Sequence, residues 1–171
     1  MEEVAVSNDD PDYRRTRVQF AQLCARIAPP EEYDERYHQA LSEYDEFCEK
    51  PLVAAVSIGE ENMEFVFGTK TVYLTGHDNV RREIGEFMCA VGCSGYMVEN
   101  ISVAIDGESG YAHPHAFQGG QFCMQRGSNQ LRVALHNGRL AEAACLILDA
   151  LETYGPGTPY CSIDKWPVAK E

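Results

Sequence analysis

Residues Val53–Gly76 read VAAVSIGEENMEFVFGTKTVYLTG. The runs at 53–58, 63–68 and 71–76 are short and rich in β-branched and aromatic residues. Turn-forming stretches, Gly-Glu-Glu-Asn and Gly-Thr-Lys, separate them, which is the pattern of strands joined by tight connections. IGEFMCAV (84–91) and ENISVAIDG (99–107) continue the series, although 77–91 would also accept a helix. Successive strands with short links predict an antiparallel meander.

Helical periodicity flanks this block. Asp10-Pro11 has the form of an N-cap followed by proline at the first helical position. Phe20, Leu23, Cys24 and Ile27 then recur at helical spacing until Pro29-Pro30. A second helix is expected from Glu31 to about Glu49, with Tyr33, Tyr37, Leu41, Tyr44 and Phe47/Cys48 as a packing stripe. After the strands, Gly138–Tyr154 is expected to form a helix whose face holds Leu140, Ala143/Ala144, Ile147, Leu151 and Tyr154, with Gly155 as its cap. Trp166, the sole tryptophan, is expected to fold back onto the body. The order helices, sheet, irregular segment, helix defines an α+β chain, divided into an N-terminal helical extension (1–30) and a main domain (31–171).

Composition narrows the function classes. Apolar residues make up 44% and charged residues 24% of 171 positions, as in globular domains. No apolar run approaches the roughly 20 residues that span a bilayer, and MEEVAVSNDDPD lacks the basic and apolar regions of a signal peptide. A cytoplasmic protein without a membrane partner is expected, so its seven cysteines should be reduced thiols. The net charge of −13 argues against nucleic acid. Its distribution is uneven: 13 of the 27 acids fall in the first 50 residues, and none lies between Glu108 and Glu142, where Arg126, Arg132 and Arg139 stand.

That locally basic window contains YAHPHAFQGGQFCMQ (111–125). Cys123 follows a histidine–proline–histidine turn and a Gly-Gly pair, and admits three readings from the residues alone. It can be a buried filler, the usual fate of a free cysteine. It can join Cys89, Cys93, His113 and His115 in a metal site. Or it can be a nucleophile, in a hydrolase served by His115 or His136 or in an acyl carrier. A hydrolase also needs a group to orient its base, and the acid-free window supplies no carboxylate. His113 reads in preference as a satisfied core histidine.

His113-Pro114-His115, with Gly120, Phe122, Cys123 and Met124 at ungapped spacing, resembles the active-site motif of ubiquitin-conjugating enzymes. That motif runs His-Pro-Asn, then a glycine three residues before the cysteine, which apolar residues flank. TYGPGTPY (153–160) is similar to the family's proline loop, and the order of elements agrees over roughly 31–159. His-Pro-His in place of His-Pro-Asn, the short C-terminus and the spacing of Tyr160 and Trp166 look more like the bacterial branch found in ubiquitin-like and antiphage conjugation operons. The resemblance implies a conjugating-enzyme fold: N-terminal helix, antiparallel meander, active-site segment and covering helix, with the final helices reduced or absent. It implies that Cys123 takes the C-terminus of a ubiquitin-like carrier from an adenylating activating enzyme as a thioester. Cys123 then passes the acyl group to an amine or hydroxyl of a protein target, without a cofactor. His115 then occupies the place of the family's asparagine, where imidazole can donate in its neutral or its charged form; if it acts in its charged form, activity depends on pH near 6–7. His113, Pro114 and Gly120 are implied as loop support. A conjugating-enzyme fold used only as an inert binding scaffold is the other implied possibility.

Overall fold

The computed structural model describes residues 10–59, 63–102, 111–116, 122, 127–155 and 159–170. Helix α1 (Pro11–Ile27) begins as its sequence predicts: the Asp10 carboxylate accepts the Asp12 N–H at 2.9 Å, and Pro11 takes the first turn. After a 3₁₀ turn (Pro30–Glu32), α2 (Tyr33–Cys48) runs back along α1. Asp45 of α2 clasps the two helices, accepting from both Arg17 nitrogens at 2.7 Å and from the Tyr13 hydroxyl at 2.7 Å. These bonds hold the Asp45 carboxyl below its ordinary pKa against the opposing effect of burial.

The predicted stripe of α2 packs on the core except at Tyr33, and Arg36 and Ala40 are buried beside it. Tyr33 is exposed and Tyr37 and Leu41 are half-buried, whereas Arg36, Ala40, Tyr44 and Phe47 are buried. Helix α2 lies between α1 and a later helix, so the small side chain of Ala40 belongs on the contact line and the polar-tipped tyrosines move to its rim. Arg36 tolerates burial because Glu43 pairs with its guanidinium.

Strands β1 (Val53–Gly59), β2 (Glu64–Thr69), β5 (Phe87–Gly92) and β6 (Gly95–Asn100) form one antiparallel sheet in that order. Strands β3 (Val72–Thr75) and β4 (Arg81–Gly85) form a separate hairpin inserted in the middle. The meander is thus interrupted, and no helix forms over 77–91: 77–80 turn the hairpin, and β4 and β5 follow. Of the predicted strand ENISVAIDG, Glu99 and Asn100 end β6, the last strand among the described residues; residues 103–110 lie outside them. The Gly92–Gly95 pairing closes the β5–β6 connection and fixes this register.

Register places Phe67, Cys89 and Val98 opposite one another on the inner face. There Phe20 of α1 meets the Phe65 ring edge-on at 4.6 Å, and Phe47 of α2 meets Phe65 and Phe67 at 5.3 and 5.1 Å. Such contacts add about 0.5–1.5 kcal/mol each beyond area burial. Helix α3 (Ser128–His136), which the sequence reading missed, precedes α4 (Leu140–Leu151). Helix α4 stops one turn short of the predicted Tyr154, so Gly155 is not its cap. It buries seven residues, Leu140, Ala141, Ala143, Ala144, Ile147, Leu148 and Leu151, and packs against α2 and β5. The tail returns to the body as expected: Trp166 is buried, and Val168 pairs with Arg82 so that the tail borders the β3–β4 hairpin.

Between α3 and α4 the chain reverses through Gly138. Its N–H reaches Leu135 O, and Arg139 N–H reaches Ala134 O, the pair of bonds that ends a helix in the left-handed conformation. Gly138 has φ +66°, and an added Cβ would stand 2.2 Å from the backbone oxygen of Cys24 in α1. Gly138→Ala is therefore expected to cost about 2 kcal/mol or more, from left-handed strain plus displacement of α1. For a chain of this size that lowers Tm by about 4–8 °C. Gly155→Ala, where the nearest atom would be 4.0 Å away, is the control and should move Tm by less than about 2 °C. Calorimetry of both variants checks this.

Candidate functional site

The histidine–proline–histidine segment sits against the end of α4. Ala116 N–H donates to His113 O at 2.9 Å, which closes a turn over 113–116. His113 is fully buried. Its Nδ1 accepts the His115 backbone N–H at 3.1 Å, and its Nε2 lies 3.1 Å from Leu151 O, in the last turn of α4. A backbone N–H can only donate and a carbonyl can only accept, so Nδ1 is bare and Nε2 carries the proton. His113 is thereby a neutral strut between the turn and the helix terminus. Burial pushes its pKa down to about 3; the Leu151 bond opposes this, and the charge of His115 adds to it.

Three further ties hold the segment. Pro114 O accepts the N–H groups of Tyr160 at 2.9 Å and Cys161 at 3.3 Å, which binds the turn to the tail. Asn100, at the end of β6, donates through Nδ2 to Ala112 O at 3.1 Å and to Ile84 O at 2.7 Å. Gly85 makes room for this amide: its φ is +124°, and a Cβ there would stand 2.7 Å from Asn100 Oδ1. The ring of His113 meets that of Phe122 at 5.0 Å and that of Phe87 at 6.2 Å.

Phe122 lies across from the turn, since an antiparallel bridge joins it to Ala116. The Tyr96 hydroxyl accepts the Phe122 N–H at 3.0 Å and donates to Phe122 O at 3.2 Å. Gly120 and Cys123 themselves, with Gly119, Met124 and Arg126, lie outside the described residues. The fold therefore brings together His113, Pro114, His115 and the residue bonded to Cys123.

His115 is half-buried and its Nε2 has no hydrogen-bond partner among the described residues. Its ring stands 5.4 Å from that of Tyr154, which stands 5.4 Å from His77. Burial lowers the His115 pKa from 6.5, so the neutral ring is the form present at neutral pH, not the imidazolium. No carboxylate among the described residues bonds to either histidine, so the orienting group of a hydrolase triad is not found there.

The other cysteines divide clearly. Burial pushes Cys24 and Cys89 up to about 12 and Cys48 to about 11, and it raises Cys145. These are packing thiols with little thiolate character. Cys93 is exposed at the β5–β6 turn while Cys89 faces the core, so period two does not aim them at one ion. Among the described residues no group of three or more His, Cys, Asp or Glu side chains could hold a metal. Likewise, no helix there is long and apolar enough to cross a membrane.

The basic window is partly neutralised, because Arg139 pairs with Glu142 at 2.9 Å. Arg132 and His136 of α3 line a groove of about 440 Å³ between α3 and β6, with Cys93, Tyr96 and Phe122 also on its walls. Sequence reasoning missed Tyr96, Asn100 and Gly85. Placing the last strand over 99–107 left Tyr96 out of it, and a structural tyrosine or asparagine carries no local motif.

The buried His113 makes stability depend on acid. Its folded pKa lies below its unfolded value of 6.5, so the unfolded chain binds the extra proton. The stability it supports is intact above pH 6.5 and is lost as pH falls from there toward 3, by about 1.4 kcal/mol per unit. His113→Leu leaves the buried His115 N–H and Leu151 O unpaired and should cost about 2 kcal/mol at pH 7.5. The variant lacks the acid slope, so the two stabilities should converge near pH 5, about 1.5 units below the unfolded pKa. Denaturant unfolding at pH 7.5, 6 and 5 checks the crossing.

Compared with known protein families, with curated proteins and with solved structures, the chain matches none of them.

Proposed function

We propose that the chain is a ubiquitin-like-protein conjugating enzyme of the bacterial kind, with Cys123 as the acyl acceptor. The observation that carries the reading is the bridge from Ala116 to Phe122, which sets the histidine–proline–histidine turn beside the residue preceding Cys123. Support also comes from the order of elements: helices, a four-stranded antiparallel sheet, the turn, then α4. The four described thiols raised by burial are poor candidates for the same task.

The chemistry follows from thiol reactivity. The Cys123 thiolate attacks the carbonyl carbon of a carrier held as a thioester on an adenylating activating enzyme. The tetrahedral intermediate collapses and expels the activating enzyme's thiolate, leaving the carrier on Cys123. A target amine or hydroxyl then attacks that carbonyl, loses its proton, and releases the Cys123 thiolate. In both steps an oxygen carries transient negative charge. His115 presents a buried Nε2 with no partner among the described residues; in the tautomer protonated there, the neutral ring donates to that oxygen. Of the two forms that the sequence leaves open, burial favours the neutral one.

Two expectations test the reading. With carrier, activating enzyme and ATP, the wild type should form a thiol-sensitive adduct, Cys123→Ser a thiol-resistant oxyester, and Cys123→Ala none. A thiol-sensitive adduct on Cys123→Ala would place the nucleophile elsewhere, and turnover of a carrier–peptide fusion without ATP would replace this reading with hydrolysis. His115→Ala should slow transfer about 10²–10³-fold, the loss seen when one oxyanion donor is removed. The ratio of wild-type to His115→Ala rates should stay flat from pH 7.5 to 8.5, since burial lowers the pKa of the ring from 6.5 and keeps it neutral there. A ratio that climbs as pH falls from 8 to 6.5 would favour the charged-ring role.

A further inference from the structure

Residues of β6 at 96, 98 and 100 share the inner face of the sheet, because they pair with Val91, Cys89 and Phe87. The two polar ones hold opposite ends of the segment that carries the turn. Asn100 bonds the carbonyl of Ala112, just before His113. Tyr96 takes both backbone groups of Phe122, at 3.0 and 3.2 Å. Along a strand, four residues span about 13 Å, so β6 fixes the distance between the start of the turn and the residue before Cys123.

We infer that Tyr96 is a positioning residue for Cys123, acting by clamping both the N–H and the C=O of Phe122, the residue covalently joined to it. The Phe122 carbonyl carbon is bonded to the Cys123 nitrogen, so the orientation of that carbonyl sets the peptide plane on which Cys123 begins. An aromatic side chain suits the task. It has two rotatable angles, and its ring is half-buried against the core, so the hydroxyl is delivered from a rigid support. The Phe122 ring, buried and packed on His113, blocks rotation on the other side. The same ring thus couples the clamp to the strut that holds the turn. The inference rests on Cys123 being the acyl acceptor.

Tyr96→Phe keeps the ring and removes both bonds. Hydrogen exchange at the Phe122 amide should quicken about fivefold or more, as for loss of one net hydrogen bond, while amides in the β5–β6 ladder keep their wild-type rates. In single-turnover transfer from the charged activating enzyme, kcat should fall at least tenfold, toward the ~100-fold that a 1 Å misplacement costs, with KM unchanged. Unchanged exchange at Phe122 in the variant overturns the clamp. So does a wild-type Phe122 amide that exchanges as fast as an unprotected one, a result that needs no variant to fold. Faster exchange with unaltered kcat overturns the positioning role and leaves the clamp as scaffold. If Cys123→Ala still forms the thiol-sensitive adduct, the acyl-acceptor reading fails and the positioning role fails with it, while the exchange data still decide whether the clamp exists.

Discussion

Helix α4 is apolar on nearly every side, and a helix buried that completely cannot leave its terminal carbonyls to water. Residues just after the helix meet the carbonyls of Leu148, Asp149 and Ala150, and His113 meets that of Leu151 through Nε2. The turn that contains His113 thus completes the end of α4, which ties the candidate site to the packing of the core. Around this helix, α2 and β5 close the flanks, and the Phe20, Phe47 and Phe65 rings fill the space between helices and sheet.

The polar groups inside the molecule are few and nearly all perform a connecting task. Asp45 ties α1 to α2, and Arg82 meets Asp78 and Asp164, joining the hairpin to the tail. Arg36 and Glu43 stay within α2 and meet burial by pairing. The Asp45 and Arg82 contacts replace water with a charged partner where two elements meet, so they help set the registry of elements while the burial of apolar surface supplies most of the stability.

The sequence was legible where one period dominated. The first three strands stand within about a residue of their predicted places, and Asp10-Pro11 starts α1 as read. Reading failed where local signals were short or shared. Helix α3 spans nine residues, with Leu131, Ala134 and Leu135 as its buried positions, too brief a pattern to stand out between Gly127 and Gly138. In α2 the stripe was legible from Tyr37 to Phe47, but Tyr33 lies outside it, and nothing local marked Arg36 and Ala40 as buried. Separating β3–β4 from the main sheet required knowledge of long-range pairing that spacing does not carry. At the site, the motif residues His113 to His115 were visible as letters. The partners that fix them, Leu151 O, Tyr96, Asn100 and the tail amides, come from distant positions, and only the fold brings them near.

The tail ties have a consequence for how the protein is made. Pro114 O waits for the amides of Tyr160 and Cys161, and the hairpin edge waits for residues 167–169. The second tie closes across the span from Arg81 to Ala169, and both need residues made after α4. Helices α1 and α2 and the β1–β2 pair can assemble early from neighbouring sequence, whereas the turn lacks two of its donors until residues 160 and 161 have been made. Maturation of the turn thus waits for sequence on the far side of α4.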